Sequence, residues 1–169
     1  MVMRKISRRP LLLALAAFVA DPRQPKAGTV VDLDWADLMP EGTAAAAAPA
    51  LSGVIQHEDA ALASQQPVST GVRTDWNGQT VRLPGFIVPL EYAGTGVISF
   101  ILVPYVGACI HVPPPPANQL VLVTSDRPYQ SSGLFEPVSV TGAFETAATD
   151  TDLAEIGYAI TASRVERYR

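Results

Sequence analysis

After residue 66 no stretch of this chain carries a helical period. Apolar residues come instead in runs of strand length, separated by turn signals. Fifteen prolines and twelve glycines in 169 residues exclude a helical bundle and favour short strands. Asn77-Gly78 opens a turn, and Val81, Leu83, Phe86, Val88 and Leu90 follow it, with Pro84-Gly85 in their midst. The spacing predicts one long strand, bent or bulged near Gly85. Gly94-Thr95-Gly96 turns the chain into a second run, Val97 to Val103. Further strands are predicted over residues 120–124, 137–144 and 156–165, the last two by alternation or β-branched content. Five short strands with a bent first strand predict a mainly β fold, a small five-stranded OB-like Greek-key barrel over residues 76–169. The helix that usually joins the third and fourth barrel strands has no counterpart. The long connection falls between strands two and three.

The N-terminal half reads differently. Arg4, Lys5, Arg8 and Arg9 precede the ten-residue apolar run Leu11 to Ala20. Ten residues are too few to span a bilayer as a helix, which takes about 20, but they suit a bacterial secretory signal. Residues 1–27 are therefore expected to be an export signal with a short linker, which places the protein in the periplasm. Ser7-Arg8-Arg9-Pro10-Leu11-Leu12 also resembles a twin-arginine signal, and an uncleaved anchor is an alternative outcome. Residues 28–75 are expected to form an N-terminal extension. Within it Trp35 docks a leading segment, residues 41–50 form an alanine-rich linker, and residues 52–65 form a short helix carrying His57.

Charge excludes one class of partner. Residues 1–20 hold four of the twelve basic residues and no acidic one, so the formal net charge falls from −4 to −8 once they are removed. Such a domain repels phosphate backbones, and no basic stripe with interleaved aromatics offsets this. Nucleic acid is not an expected ligand.

The chemistry-bearing residues gather in the long connection. Residues 107–119 hold the only cysteine, Cys109, one of two histidines, His111, and the run Pro113, Pro114, Pro115 and Pro116. An exported chain with a single cysteine cannot form an internal disulfide, so the thiol must be buried, bound or joined to another molecule. In extended backbone Cys109 and His111 would face one side. A thiolate and an imidazole form a half-site for zinc, or alternatively copper. Glu91 is the best-placed third ligand, with His57, Asp126, Asn118 and Gln119 as weaker candidates. Alternatively, the imidazole activates the thiol as a nucleophile, although no oxyanion donors or resolving cysteine are legible. The bland alternative makes Cys109 buried filler.

Four consecutive prolines hold a polyproline II rod of about 12 Å. It can brace the loop or present a ridge to an aromatic-lined groove on a partner. Pro113 to Pro116, with Asn118 and Gln119 returning the chain to a strand, are the expected partner-binding residues.

Several segments together resemble a bacterial family, domain of unknown function 3299. They are Pro84 to Glu91, Phe100 to Tyr105, and Gly107 to Gln119. Trp35 to Pro40, Val138 to Gly142 and Gly157-Tyr158 extend the resemblance over roughly residues 33–169. The resemblance implies an exported protein with an OB-like fold. It also implies a gene neighbourhood of MacB-like ABC transporter components, sometimes among zinc-limitation genes, and no known activity. Together these readings lead to a periplasmic, zinc-associated accessory protein of an ABC transport system. A non-catalytic module docking a membrane partner through its proline loop is the alternative, and a thiol enzyme using Cys109 and His111 is third.

Overall fold

The computed structural model describes residues 29–43, 66–110 and 112–168. The expected export signal, the alanine-rich residues 44–50, the helix expected over 52–65 with His57, and His111 all lie outside the described residues. Six strands are present among the described residues: β1 (Val31–Asp32), β2 (Thr80–Ala93), β3 (Gly96–Val103), β4 (Val121–Tyr129), β5 (Pro137–Asp150) and β6 (Glu155–Arg167). Their order is β1-β2-β3-β4-β6-β5, and β5 pairs back onto β2. The last five thus close a barrel in which β4 and β6 run parallel and every other neighbouring pair is antiparallel. This is the expected OB-like Greek key. Among the described residues the only helical pieces are 3-10 turns at Trp35–Leu38 and Ala117–Gln119.

Alternation explains the layers. Val81, Leu83, Phe100, Leu102, Val121, Val123, Val138, Val140, Tyr158 and Ile160 point inward from successive strands and are buried together. The β2–β3 hairpin closes on Gly94, whose φ of +62° suits a glycine. The irregularity expected near Gly85 lies instead between Pro89 and Tyr92, around Glu91. Gly85 serves a different need. Here β2 changes partners, since Phe86 is paired with both Val103 of β3 and Pro137 of β5. A Cβ at residue 85 would lie 2.8 Å from Leu102 Cγ, so only glycine lets the strands approach there. Strands β4 and β5 run further than their apolar runs suggest, to Tyr129 and Asp150, because their far ends stand beyond the core with exposed residues.

The leading segment of the 28–75 extension packs into the barrel's own core. Leu33 and Leu38 belong to it, and burying one leucine is worth about 2–3 kcal/mol. The Trp35 indole N–H donates to the Pro84 carbonyl at 2.8 Å, which is the docking expected of that residue. The fully buried Tyr158 hydroxyl donates to the Leu38 carbonyl at 2.6 Å and accepts the Arg73 N–H at 2.7 Å. One phenol therefore ties both flanking segments to β6. Among the described residues no helix is long and apolar enough to cross a membrane.

Candidate functional site

The segment joining β3 to β4 folds back over the outside of the barrel. Strand alternation leaves Ile101 and Val103 of β3 and Leu122 of β4 pointing outward, yet Ile101 and Val103 are fully buried. Ala108, Cys109 and Leu120 cover them, joined by Val88 of β2 and by Ala154 and Ile156 from the β5–β6 end. OB-type barrels take oligonucleotides and oligosaccharides on the face of their second and third strands. Here those strands are β3 and β4, and the chain has sealed that face with its own loop.

Cys109 sits at the centre of the seal. It is free and 2% exposed. Burial among apolar side chains pushes its thiol up to about 12, because the charged thiolate has no solvation there. Its backbone is not extended. With φ at +68° it occupies the left-handed region, unusual for a residue with a Cβ. The expectation that residues 109 and 111 share a face through extended backbone is therefore corrected. The loop instead winds tightly: the Ile110 and Val112 N–H groups both donate to the Gly107 carbonyl, at 3.4 and 3.2 Å. No β-ladder constrains Cys109, so nothing holds it extended, and the left-handed step turns its side chain into the cluster.

Glu91 lies on the irregular part of β2 with its side chain exposed. Among the described residues no group of three His, Cys, Asp or Glu side chains is placed to hold a metal ion. His111 of the expected Cys109–His111–Glu91 set lies outside them.

The proline run is half sunk. Pro114 and Pro115 are buried, and only Pro113 and Pro116 are partly exposed. Gln66 fastens the rod: its amide N–H₂ donates to the Pro115 carbonyl at 2.9 Å and the Glu155 carbonyl at 2.8 Å, and its oxygen accepts the Glu155 N–H at 2.8 Å. Asn118 and Gln119 are each 1% exposed. The Asn118 amide donates to the Gly71 carbonyl at 2.8 Å, and that of Gln119 to the Trp35 carbonyl at 2.8 Å. Both amides are used inside the chain, and it is the N-terminal segments rather than the proline carbonyls that they satisfy. Asn118 Oδ1 is buried without a hydrogen-bond partner among the described residues. The loop also turns apolar surface outward: Val106 is 58% exposed, and Tyr105 and Ile110 are half-buried against the cluster beneath.

A second polar cluster escaped the sequence reading. Glu136 is 5% exposed, and its carboxylate accepts from the Tyr129 hydroxyl, the Ser131 hydroxyl, the Ser132 N–H and Arg167. Burial alone would raise this carboxyl. The Ser132 N–H, Arg167 and Ser131 outweigh that and hold it at about 2. Three of its partners lie within seven residues of it, and the fourth, Arg167, comes from the end of β6.

The comparisons accord with this architecture. The family model described as a protein of unknown function, DUF3299, matches residues 35–167. The chain belongs to that family. The crystal structure of a DUF3299 family protein from Pseudomonas aeruginosa PAO1 is similar to this chain, with 38% identity and a TM-score of 0.73. The similarity covers 84% of this chain and 98% of that one. No curated protein matches.

Proposed function

We propose that this DUF3299 chain is an exported, non-catalytic interaction module. Its β3–β4 loop docks a periplasmic segment of a membrane partner, for which a MacB-like ABC transporter component is the leading candidate. One observation carries the reading: the loop is pinned from beneath by Cys109, Gln66 and Gln119, while Val106 stands exposed on its outer side. A loop fixed in advance loses little conformational entropy when a partner covers it. The partly exposed Pro113 and Pro116 extend the same stiff ridge. The test is co-purification with the co-expressed transporter component. V106D and the double change P113A/P116A should each reduce recovery, whereas Y92A, on the exposed end of β2, should not. Unchanged recovery with both loop variants would overturn the proposal.

Metal association through Cys109 and His111 remains the second reading, supported by the tight turn that brings the Ile110 and Val112 N–H groups to the Gly107 carbonyl. It requires the Cys109 sulfur to leave its apolar neighbours and ionise, or to do so on binding zinc or copper. Elemental analysis of exported protein decides it. Stoichiometric metal lost in both C109S and H111A supports this reading, and wild type without stoichiometric metal under replete conditions removes it. The same burial disfavours the thiol-enzyme reading, since the nucleophile would have to be a thiolate.

A further inference from the structure

The barrel has a seam. β4 and β6 run in parallel register from Val121↔Tyr158 to Ser125↔Ala162, and there the ladder ends. β4 departs because it carries extra residues: Thr124 pairs with Ser99 of β3, but the next pair is Tyr129 with Val97. The slack is taken up by a local turn in which the Ser125 hydroxyl accepts the Arg127 N–H and donates to the Arg127 carbonyl. β6 continues to Arg167 and remains paired with β5. Among the described residues no strand pairs with the other edge of β6 beyond Ala162.

The result is a cleft of about 210 Å³ lined by Ser125, Arg127, Tyr129, Ser163, Arg164 and Val165. Its far end is bridged by Glu136, which joins Tyr129 of β4 to Arg167 of β6. The gap is therefore held open by structure at both ends. Its charge is opposite to that of the molecule. Two exposed arginines of an acidic chain, Arg127 and Arg164, flank it. Arg127 makes no ion pair among the described residues, and Arg164 pairs only with the exposed Glu166 at 2.7 Å. A surface pair of that kind exchanges partners readily.

We infer that this seam binds an extended acidic peptide segment. The segment adds to the free edge of β6 at residues 163–166 and places a carboxylate between Arg127 and Arg164. An unpaired edge offers backbone donors and acceptors on alternate residues, and the guanidinium forks suit a carboxylate. Charge complementarity selects the occupant: a basic peptide would meet two arginines, and a neutral one would leave Arg127 without a counter-charge. The site is separate from the β3–β4 loop and does not depend on the docking proposed there.

The test uses the folded chain and a six-residue peptide alternating glutamate and valine, acetylated and amidated. Backbone amide resonances of residues 163–166 report binding. The peptide should shift them, with affinity falling as salt rises, and R127A/R164A should weaken binding roughly tenfold or more. Both arginines are exposed, so the variant is expected to fold, and an unchanged spectrum away from the seam verifies it. Three controls overturn the inference. A glutamine-for-glutamate peptide binding equally well removes the carboxylate. An N-methylated peptide binding equally well removes strand addition. Free glutamate shifting the same amides as strongly at the same concentration reduces the seam to a small-carboxylate site. Absence of any shift at millimolar peptide also overturns it.

Discussion

Replacing Cys109 measures what the loop seal is worth and what kind of environment it has. In C109A the sulfur is deleted from a site packed by Val88, Ile101 and Leu120. The lost burial and the small cavity together cost about 1–2 kcal/mol. The left-handed backbone penalises alanine as it does cysteine, so it cancels. C109S keeps the volume nearly constant but places a hydroxyl inside this apolar cluster, adding about 1–3 kcal/mol. C109G relieves a left-handed conformation that costs about 1–2 kcal/mol, but it gives back about 1 kcal/mol in unfolded-state entropy and loses the side chain altogether. The expected order is wild type above C109A, with C109S lowest and C109G near C109A. At roughly 3 °C per kcal/mol for a chain of this size, C109S should melt about 6–15 °C below wild type. Thermal melts followed by circular dichroism, with urea titrations for the free energies, read this order directly. A C109S protein as stable as C109A would refute the reasoning, because it would mean that a polar atom is already accommodated there by water or a ligand.

Three further outcomes follow from the same geometry. Iodoacetamide should label native Cys109 at neutral pH at least 100-fold more slowly than the urea-unfolded chain, since burial both removes access and holds the thiol at about 12; equal rates would mean that the loop opens freely. Glu136 has a folded value of about 2, below that of an unfolded glutamate near 4.3. Its stabilisation is therefore complete above about pH 4.3 and is lost as pH falls towards 2. E136Q should cost about 2 kcal/mol at pH 7 and flatten the stability profile over that acid window, as urea denaturation at stepped pH would show. Q119A removes the buried amide that holds the Trp35 carbonyl, at a cost of about 1–3 kcal/mol; limited proteolysis should then cut near residues 33–39 sooner than in wild type, and an unchanged pattern would deny Gln119 its anchoring role.

The barrel was legible because its information is local. The apolar spacing in residues 81–90, the apolar run 97–103 and the alternation in 137–144 announce strands, and Gly94 announces the hairpin between two of them. The long connection between the second and third barrel strands was equally visible, since no strand or helix pattern interrupts residues 104–119. What that connection does was not visible. Whether Pro114 and Pro115 stand out or sink, and whether Asn118 and Gln119 face a partner or Gly71 and Trp35, depends on segments far away in sequence. The left-handed step at Cys109 also has no signal, because the residue that adopts it is not a glycine. Glu136 was overlooked for a related reason: its charge partner, Arg167, lies 31 residues away and arrives only once β5 and β6 are in register.

The three-way pairing of β2 dictates an order of assembly. Its hairpin with β3 closes through a two-residue turn, and β5 meets β6 across a short connection, so both pairs can form from local encounters. The closing contacts cannot. Thr80 must find Ala143 and Phe86 must find Pro137, while Val31 must find Val81 across a different stretch of chain. Such non-local closure places folding on the slow side, milliseconds to seconds rather than microseconds. Until it happens, β2 and β5 each present an unpaired edge. This protein is therefore most vulnerable to association in the interval between making its two hairpins and joining them.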